Sequence, residues 1–176
     1  MSLRSYFCCL LMVAAGCSQK PRVQMVLVDH IEAVSASSQH PSFAPGLVLD
    51  GGSLAENAWH SETRPSFPQW VQVQFPQPVR LHRFRIQSQY NSPSRPTENS
   101  RRAPTKLEVW ASDDAGFTVH ANLGLFHCSY AGPGDWCTNE IAVPIASFRY
   151  YRFMILENGG DPDFVTIQEM NFFSEE

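Results

Sequence analysis

The heptapeptide Gln69-Trp70-Val71-Gln72-Val73-Gln74-Phe75 alternates, with Val71, Val73 and Phe75 on one face and Gln72 and Gln74 on the other. Side chains along a β-strand point to opposite faces with a period of two, so this segment reads as a strand with one buried and one wet face. Lys106 to Ala111 repeats the pattern with Leu107, Val109 and Ala111. Val79 to Ile86 places Val79 and Leu81 in one phase and Phe84 and Ile86 in the other, a slip that predicts a β-bulge near His82-Arg83. Tyr150 to Leu156 and Phe164 to Phe173 complete the strong strand candidates. No stretch of ten or more residues carries a helical apolar stripe with caps. Short strands between turn-rich stretches, without helical crossovers, predict an all-β antiparallel sandwich or barrel.

The chain has 176 residues, 43% hydrophobic and 12% aromatic, with 13 basic and 17 acidic side chains, six His and five Cys. That length suits one domain. A mean hydropathy of −0.23 excludes a polytopic helical membrane protein, and the aromatic content excludes a disordered acidic chain. The net charge of −4 gives no basic field, so nucleic acid is not an expected partner. Tyr90 to Pro104 is polar and rich in Pro and Ser, but strands of one pattern flank it, so it reads as a long loop within one domain.

Met1 to Ser5 carries Arg4 and no acid, and Tyr6 to Gly16 is an uncharged run of eleven residues. Spanning a bilayer takes about 20 apolar residues, so the run is too short to cross and matches the apolar core of a secretory signal. Its ending, Ala14-Ala15-Gly16-Cys17, resembles the lipobox of bacterial lipoproteins, with Ala14 where Leu is usual. The resemblance implies a signal over residues 1–16, diacylglyceryl transfer to the Cys17 sulfur, and a lipidated cysteine and tether over residues 17–27. An ordinary signal peptide with Cys17 free or paired is the alternative. Acyl chains would anchor the protein to the membrane without spanning it, placing it at the bacterial cell envelope. Ser18 in place of an Asp after the cysteine leans towards the outer membrane in a Gram-negative cell. Cys8 and Cys9 leave with the signal.

A single domain is expected over residues 28–176, and the order of its features resembles a known one. Val34-Ser35-Ala36-Ser37-Ser38, Leu49-Asp50-Gly51-Gly52, Ala58-Trp59-His60-Ser61 and Gln69-Trp70-Val71-Gln72-Val73 resemble the first half of the discoidin domain, the type C domain of coagulation factors V and VIII. Lys106 to Asp114, Phe148 to Phe153 and Ile167-Gln168-Glu169-Met170 resemble its second half. The resemblance implies a galactose-binding-like jelly roll of about eight main strands that binds ligands through loops at one end. Two features depart from the pattern: the step from Asp50 to Trp59 is about two residues longer than usual, and Gly52 stands where Asn or Asp is common.

In that family the Asp-Gly loop and a late Glu commonly enclose a structural calcium. Carried over, Asp50 and Glu169 would supply carboxylates, Gly52 a carbonyl and Asn57 an amide oxygen, within the six to eight oxygens that calcium takes. Alternatively, Asp50 caps a turn and Glu169 accepts backbone N–H groups at a sheet edge. Sugar-binding members combine an aromatic platform with Arg, His or Asn that reach hydroxyls. The loop holding His60 and Arg64, the loop with Arg95, Arg101 and Arg102, and the turn from Asn158 to Phe164 are expected at one end. Arg64, Tyr90, Arg102, Asn158 and Phe164 are the expected ligand contacts, each with the alternative of a solvated loop charge or a ring closing the core. Trp59 and Trp70 occupy positions that fill the core in the family.

Cys128 and Cys137 flank Ser129 to Trp136, whose Gly-Pro-Gly suits a turn, so the spacing suits a disulfide stapling a hairpin-like loop. A zinc site around His120, His127 and Cys128 lacks a second CxxC or HxxxH. No GxSxG, HExxH, Gly-rich phosphate loop or CxxC is present. The expected function is therefore a non-catalytic, lipid-anchored module that binds a glycan. The alternative is an envelope protein that holds a protein partner, or mediates adhesion, on the same scaffold. A hydrolase and a phospholipid binder are more distant readings.

Overall fold

The computed structural model describes residues 23–26, 30–91, 99–142 and 146–175. The expected signal, Cys17 and Arg95 lie outside these. Among the described residues eleven strands run in chain order: β1 Val23–Val26, β2 Ala33–Ala36, β3 Trp59–His60, β4 Gln69–Val79, β5 Leu81–Gln87, β6 Pro104–Ser112, β7 Ala121–His127, β8 Trp136–Glu140, β9 Phe148–Asn158, β10 Thr166–Ile167 and β11 Glu169–Glu175. Among the described residues there is no α-helix.

The strands form a five-stranded sheet in the order β2-β4-β9-β6-β7 and a four-stranded sheet in the order β1-β11-β5-β8, antiparallel throughout. The alternating residues read from the sequence make the interface. Val71, Val73, Phe75, Leu107, Val109, Ala111, Tyr151, Phe153 and Ile155 are fully buried on one sheet, and face Phe84, Ile86, Met170 and Phe172 on the other. Rings cross the gap edge to face, with Phe84 and Phe153 centroids 5.1 Å apart and Phe75 and Phe172 6.0 Å apart. This is the antiparallel sandwich expected from the pattern, in the jelly-roll form that the resemblance implies.

The bulge falls where the phase slip put it. Phe173 pairs with Arg83 and Ser174 with Leu81, leaving His82 as the extra residue. Other details differ from the sequence reading. Val79 ends β4 and Leu81 begins β5, so that segment is two strands. Phe164 to Phe173 is interrupted at Gln168, between β10 and β11, because the Gln168 side chain turns inward to satisfy loop carbonyls and is fully buried. Trp59 fills the core as expected. Trp70 does not: it is half-buried and shares the outward phase of Gln72 and Gln74, with the Arg152 guanidinium 4.4 Å from its ring centroid. The chain joins the sandwich ahead of residue 28, since β1 pairs with β11.

Cys128 and Cys137 form a disulfide across a sequence separation of nine. Cys128 follows β7 of the larger sheet and Cys137 lies in β8 of the smaller one, so the bond ties the two layers together. Closing a loop of this length stabilises by about 2–3 kcal/mol in the chain-entropy model. The Cys128→Ser/Cys137→Ser variant is expected to melt about 5–10 °C below the wild type, measured by circular dichroism under non-reducing conditions.

Candidate functional site

β3 and β10 pair as a two-stranded ribbon, His60 opposite Thr166 and Trp59 opposite Ile167. The ribbon holds His60 beneath a segment that closes on it: His40 N donates to His60 O at 2.9 Å. Phe43 then stacks on the His60 ring, with centroids 4.0 Å apart and planes 11° from parallel. Phe164 and His40 complete a cluster of four rings, Phe164 lying 5.6 Å from His60 and 6.2 Å from His40.

Arg102 enters from the other side. Gly159 N donates to Ala103 O and Asp161 N to Arg101 O, zipping the turn after β9 onto the Asn99–Arg102 3-10 turn. That approach requires glycine at 159, where an added Cβ would lie 2.8 Å from Arg101 Cα. The Arg102 Nε then meets Asp161 Oδ2 at 3.0 Å with both side chains buried, and the guanidinium sits 5.1 Å from the Phe164 ring centroid. Burial pushes the Asp161 carboxyl up, but the N–H groups of Asp163 and Phe164 and the Arg102 guanidinium outweigh it, holding the carboxyl below the usual range.

These residues, with Ala55, Glu56, Gln89 and Asn99, line a cavity of about 310 Å³. Gln89 Nε2 donates to Ala55 O at 2.7 Å and lies 2.9 Å from His60 Nε2. The contact with Ala55 O fixes which end of the amide is nitrogen, so His60 Nε2 accepts and the imidazole is neutral. Burial, reinforced by the charges of Arg102 and His40 and opposed by Asp161, lowers the His60 pKa to about 3. Among the described residues, two acceptors, Gln89 Oε1 and Asn99 Oδ1, are enclosed away from solvent without a hydrogen-bond partner. The cavity thus combines apolar ring faces, a fixed guanidinium and a neutral imidazole.

Two of the five expected contacts, Arg102 and Phe164, line this cavity. Asn158 shapes the turn that presents Phe164: its Nδ2 donates to Asp161 O and Phe164 O at 2.8 and 2.9 Å. Tyr90 faces an adjacent groove lined by Gly51, Gln87, Trp136, Glu169 and Asn171, and its carbonyl accepts from Asn99 Nδ2 at 2.6 Å. Arg64 is not among the cavity's lining residues; its side chain is 83% exposed beside Asp163. His40, Phe43, His60, Gln89 and Asn99 were not singled out as contacts. His60 did carry a signal, since it stands inside the Ala58-Trp59-His60-Ser61 motif beside a core tryptophan.

The four residues expected around a cation do come together. Asp50 Oδ1 accepts from Gly52 N at 2.7 Å, Asp50 Oδ2 from Asn57 Nδ2 at 3.1 Å, and Glu169 Oε2 from Gly51 N at 3.0 Å. Burial raises the Glu169 carboxyl to about 7 against the Gly51 N–H, with the nearby Asp50 charge adding to the rise. Among the described residues no group of three His, Cys, Asp or Glu is placed to hold a metal.

The model of the F5/8 type C domain matches residues 33–170. The chain belongs to the F5/8 type C domain family. No curated protein matches it in sequence. Its fold is similar to that of a family 32 carbohydrate-binding module from Clostridium perfringens NanJ in complex with galactose, at TM-score 0.68 and 15% identity, over 87% of this chain and 100% of that one. A second module of that family, also from Clostridium perfringens and in complex with GalNAc-beta-1,3-galactose, aligns at TM-score 0.65 and 16% identity over 85% and 99% of the two chains. An F5/8 type C domain from Bacteroides fragilis aligns at TM-score 0.68 and 17% identity over 88% and 97%. At these identities the likeness establishes the fold.

The buried neutral imidazole has a consequence for acid stability. The folded pKa near 3 lies below the unfolded value near 6.5, so the unfolded chain gains the proton first as the pH falls. The His60 contribution is fully present above pH 6.5 and is lost towards pH 3, at up to about 1.4 kcal/mol per unit. Urea unfolding between those pH values is expected to show a shallower acid limb for His60→Gln than for the wild type. Identical slopes would contradict the assignment.

Proposed function

We propose that this protein is a non-catalytic carbohydrate-binding module held at the bacterial envelope by lipid on Cys17, and that its sugar site is the cavity between His40, Phe43, His60, Asn99, Arg102 and Phe164. The carrying observation is a fixed guanidinium, that of Arg102, beside ring faces in one concave space. A sugar presents C–H faces that stack on rings, and hydroxyls that both donate and accept. The Arg102 guanidinium suits a hydroxyl acceptor. The galactose and GalNAc-beta-1,3-galactose complexes of the two Clostridium modules support a galactose-type ligand. A concave polar site also favours a glycan over a docked protein, which calls for a wider apolar patch.

The sheet register supports a site that faces away from the anchor. Val23 pairs with Glu175, whereas Glu169, at the opposite end of β11, receives the loop that borders the cavity. β1 therefore begins at the far end of the sandwich. Among the described residues no helix is long and apolar enough to cross a membrane.

A glycan array followed by calorimetric titration of the full-length chain in detergent tests the sugar reading. Binding to terminal galactose or GalNAc is expected, and failure on every glycan of a broad panel would sink it. Arg102→Lys keeps a charge for Asp161 but loses the planar fork, so an affinity loss of about tenfold or more is expected. Arg64→Ala is expected to bind as the wild type does. Cys17→Ser is expected to abolish palmitate labelling and to shift the protein from the membrane to the soluble fraction; labelling retained in that variant would overturn the anchor.

A further inference from the structure

Gly52 O, Leu54 O and Asn57 O lie 3.0, 3.0 and 3.2 Å from a single atom, Gln168 Nε2. Backbone carbonyls of one loop aimed at one point form the kind of cradle in which calcium is held, at about 2.3–2.6 Å. Here the point is the nitrogen of an amide, at hydrogen-bond distances. Its two hydrogens serve three acceptors, one of them shared.

The amide cannot be turned around. Gln168 Oε1 accepts from Tyr90 N at 3.1 Å, so the nitrogen must face the carbonyls. Nor is the side chain free to withdraw, because Gln168 is fully buried and its own N–H donates to Gln87 O at 3.0 Å. The carboxylates that would complete a calcium shell also have internal donors, Asp50 from Gly52 and Asn57, and Glu169 from Gly51. The Asp50 and Glu169 carboxylates and the Gly52 carbonyl thus already accept hydrogen bonds from within the chain, and an amide nitrogen stands where the carbonyls converge, so the donor set does not fit a metal.

We propose that the Gln168 side-chain amide takes the place of the structural cation, so that this end of the sandwich is ordered without calcium. The proposal is independent of the sugar reading and survives if no glycan binds.

Scanning calorimetry of the full-length chain in millimolar calcium and in EDTA, with elemental analysis of bound calcium, tests it. Superimposable melts and no stoichiometric calcium are expected; a melt raised by calcium, with one ion per chain, would overturn it. Gln168→Glu keeps the shape and removes both N–H donors, so its melting temperature is expected to fall by about 5–10 °C in EDTA. A variant melting with the wild type would also overturn the proposal. If the variant does not fold, the wild-type calcium comparison decides alone.

Discussion

The end of the sandwich that holds the cavity depends on the side chain of Gln168. Its nitrogen gathers the carbonyls of Gly52, Leu54 and Asn57, and its oxygen takes the N–H of Tyr90. From there order spreads in two directions. The gathered loop presents Ala55 O, which fixes the Gln89 amide and through it the His60 tautomer. Tyr90, held in place, offers its carbonyl to Asn99, a second wall of the cavity. A buried polar network of this kind adds to stability when every member is satisfied and becomes a liability when one is removed.

The second constraint is the buried Arg102–Asp161 pair. Taking two charges out of water is expensive, and such a pair is retained at little net gain unless further hydrogen bonds satisfy it. Asp161 has those bonds: Asp163 N and Phe164 N both donate to its Oδ1. The same contacts that stabilise the carboxylate therefore shape the turn carrying Phe164. Truncating Arg102 would confuse lost binding with an uncompensated buried charge, which is why a lysine replacement reads the site more cleanly.

The sandwich was legible in the sequence because its signal is periodic and its cause local. The alternation of Val71, Val73 and Phe75 is what a half-buried strand requires, and even the phase slip at His82 survived as a bulge. Where a polar residue occupies an inward position, the reading failed. Gln168 interrupts a strand that looked continuous, because its inward turn answers carbonyls more than a hundred residues away in the chain. The site was half legible for a related reason. Arg64 and Arg102 look equivalent as loop cations, and only the zip between residues 101–103 and 159–161 buries one of them. Gln89 and Asn99 carry no chemistry that marks them in isolation. Their interest lies in acceptors left without partners, which exist only once the fold has formed.

The cavity's electrostatics bear on whether it binds or reacts. General acid–base catalysis at neutral pH needs groups whose pKa values sit near 7. Two groups at this cavity are shifted away from that value. His60 is driven down to about 3, which leaves it neutral and a weak base, and Asp161 is held ionised below the usual carboxylate range and committed to Arg102. Each shift removes a mobile proton and leaves a hydrogen-bonding group of fixed polarity. Fixed donors and acceptors lower the ordering cost of capturing a ligand rich in hydroxyls without moving a proton to it. The forces that bury the imidazole and lock the guanidinium act through the same contacts that close the end of the sandwich.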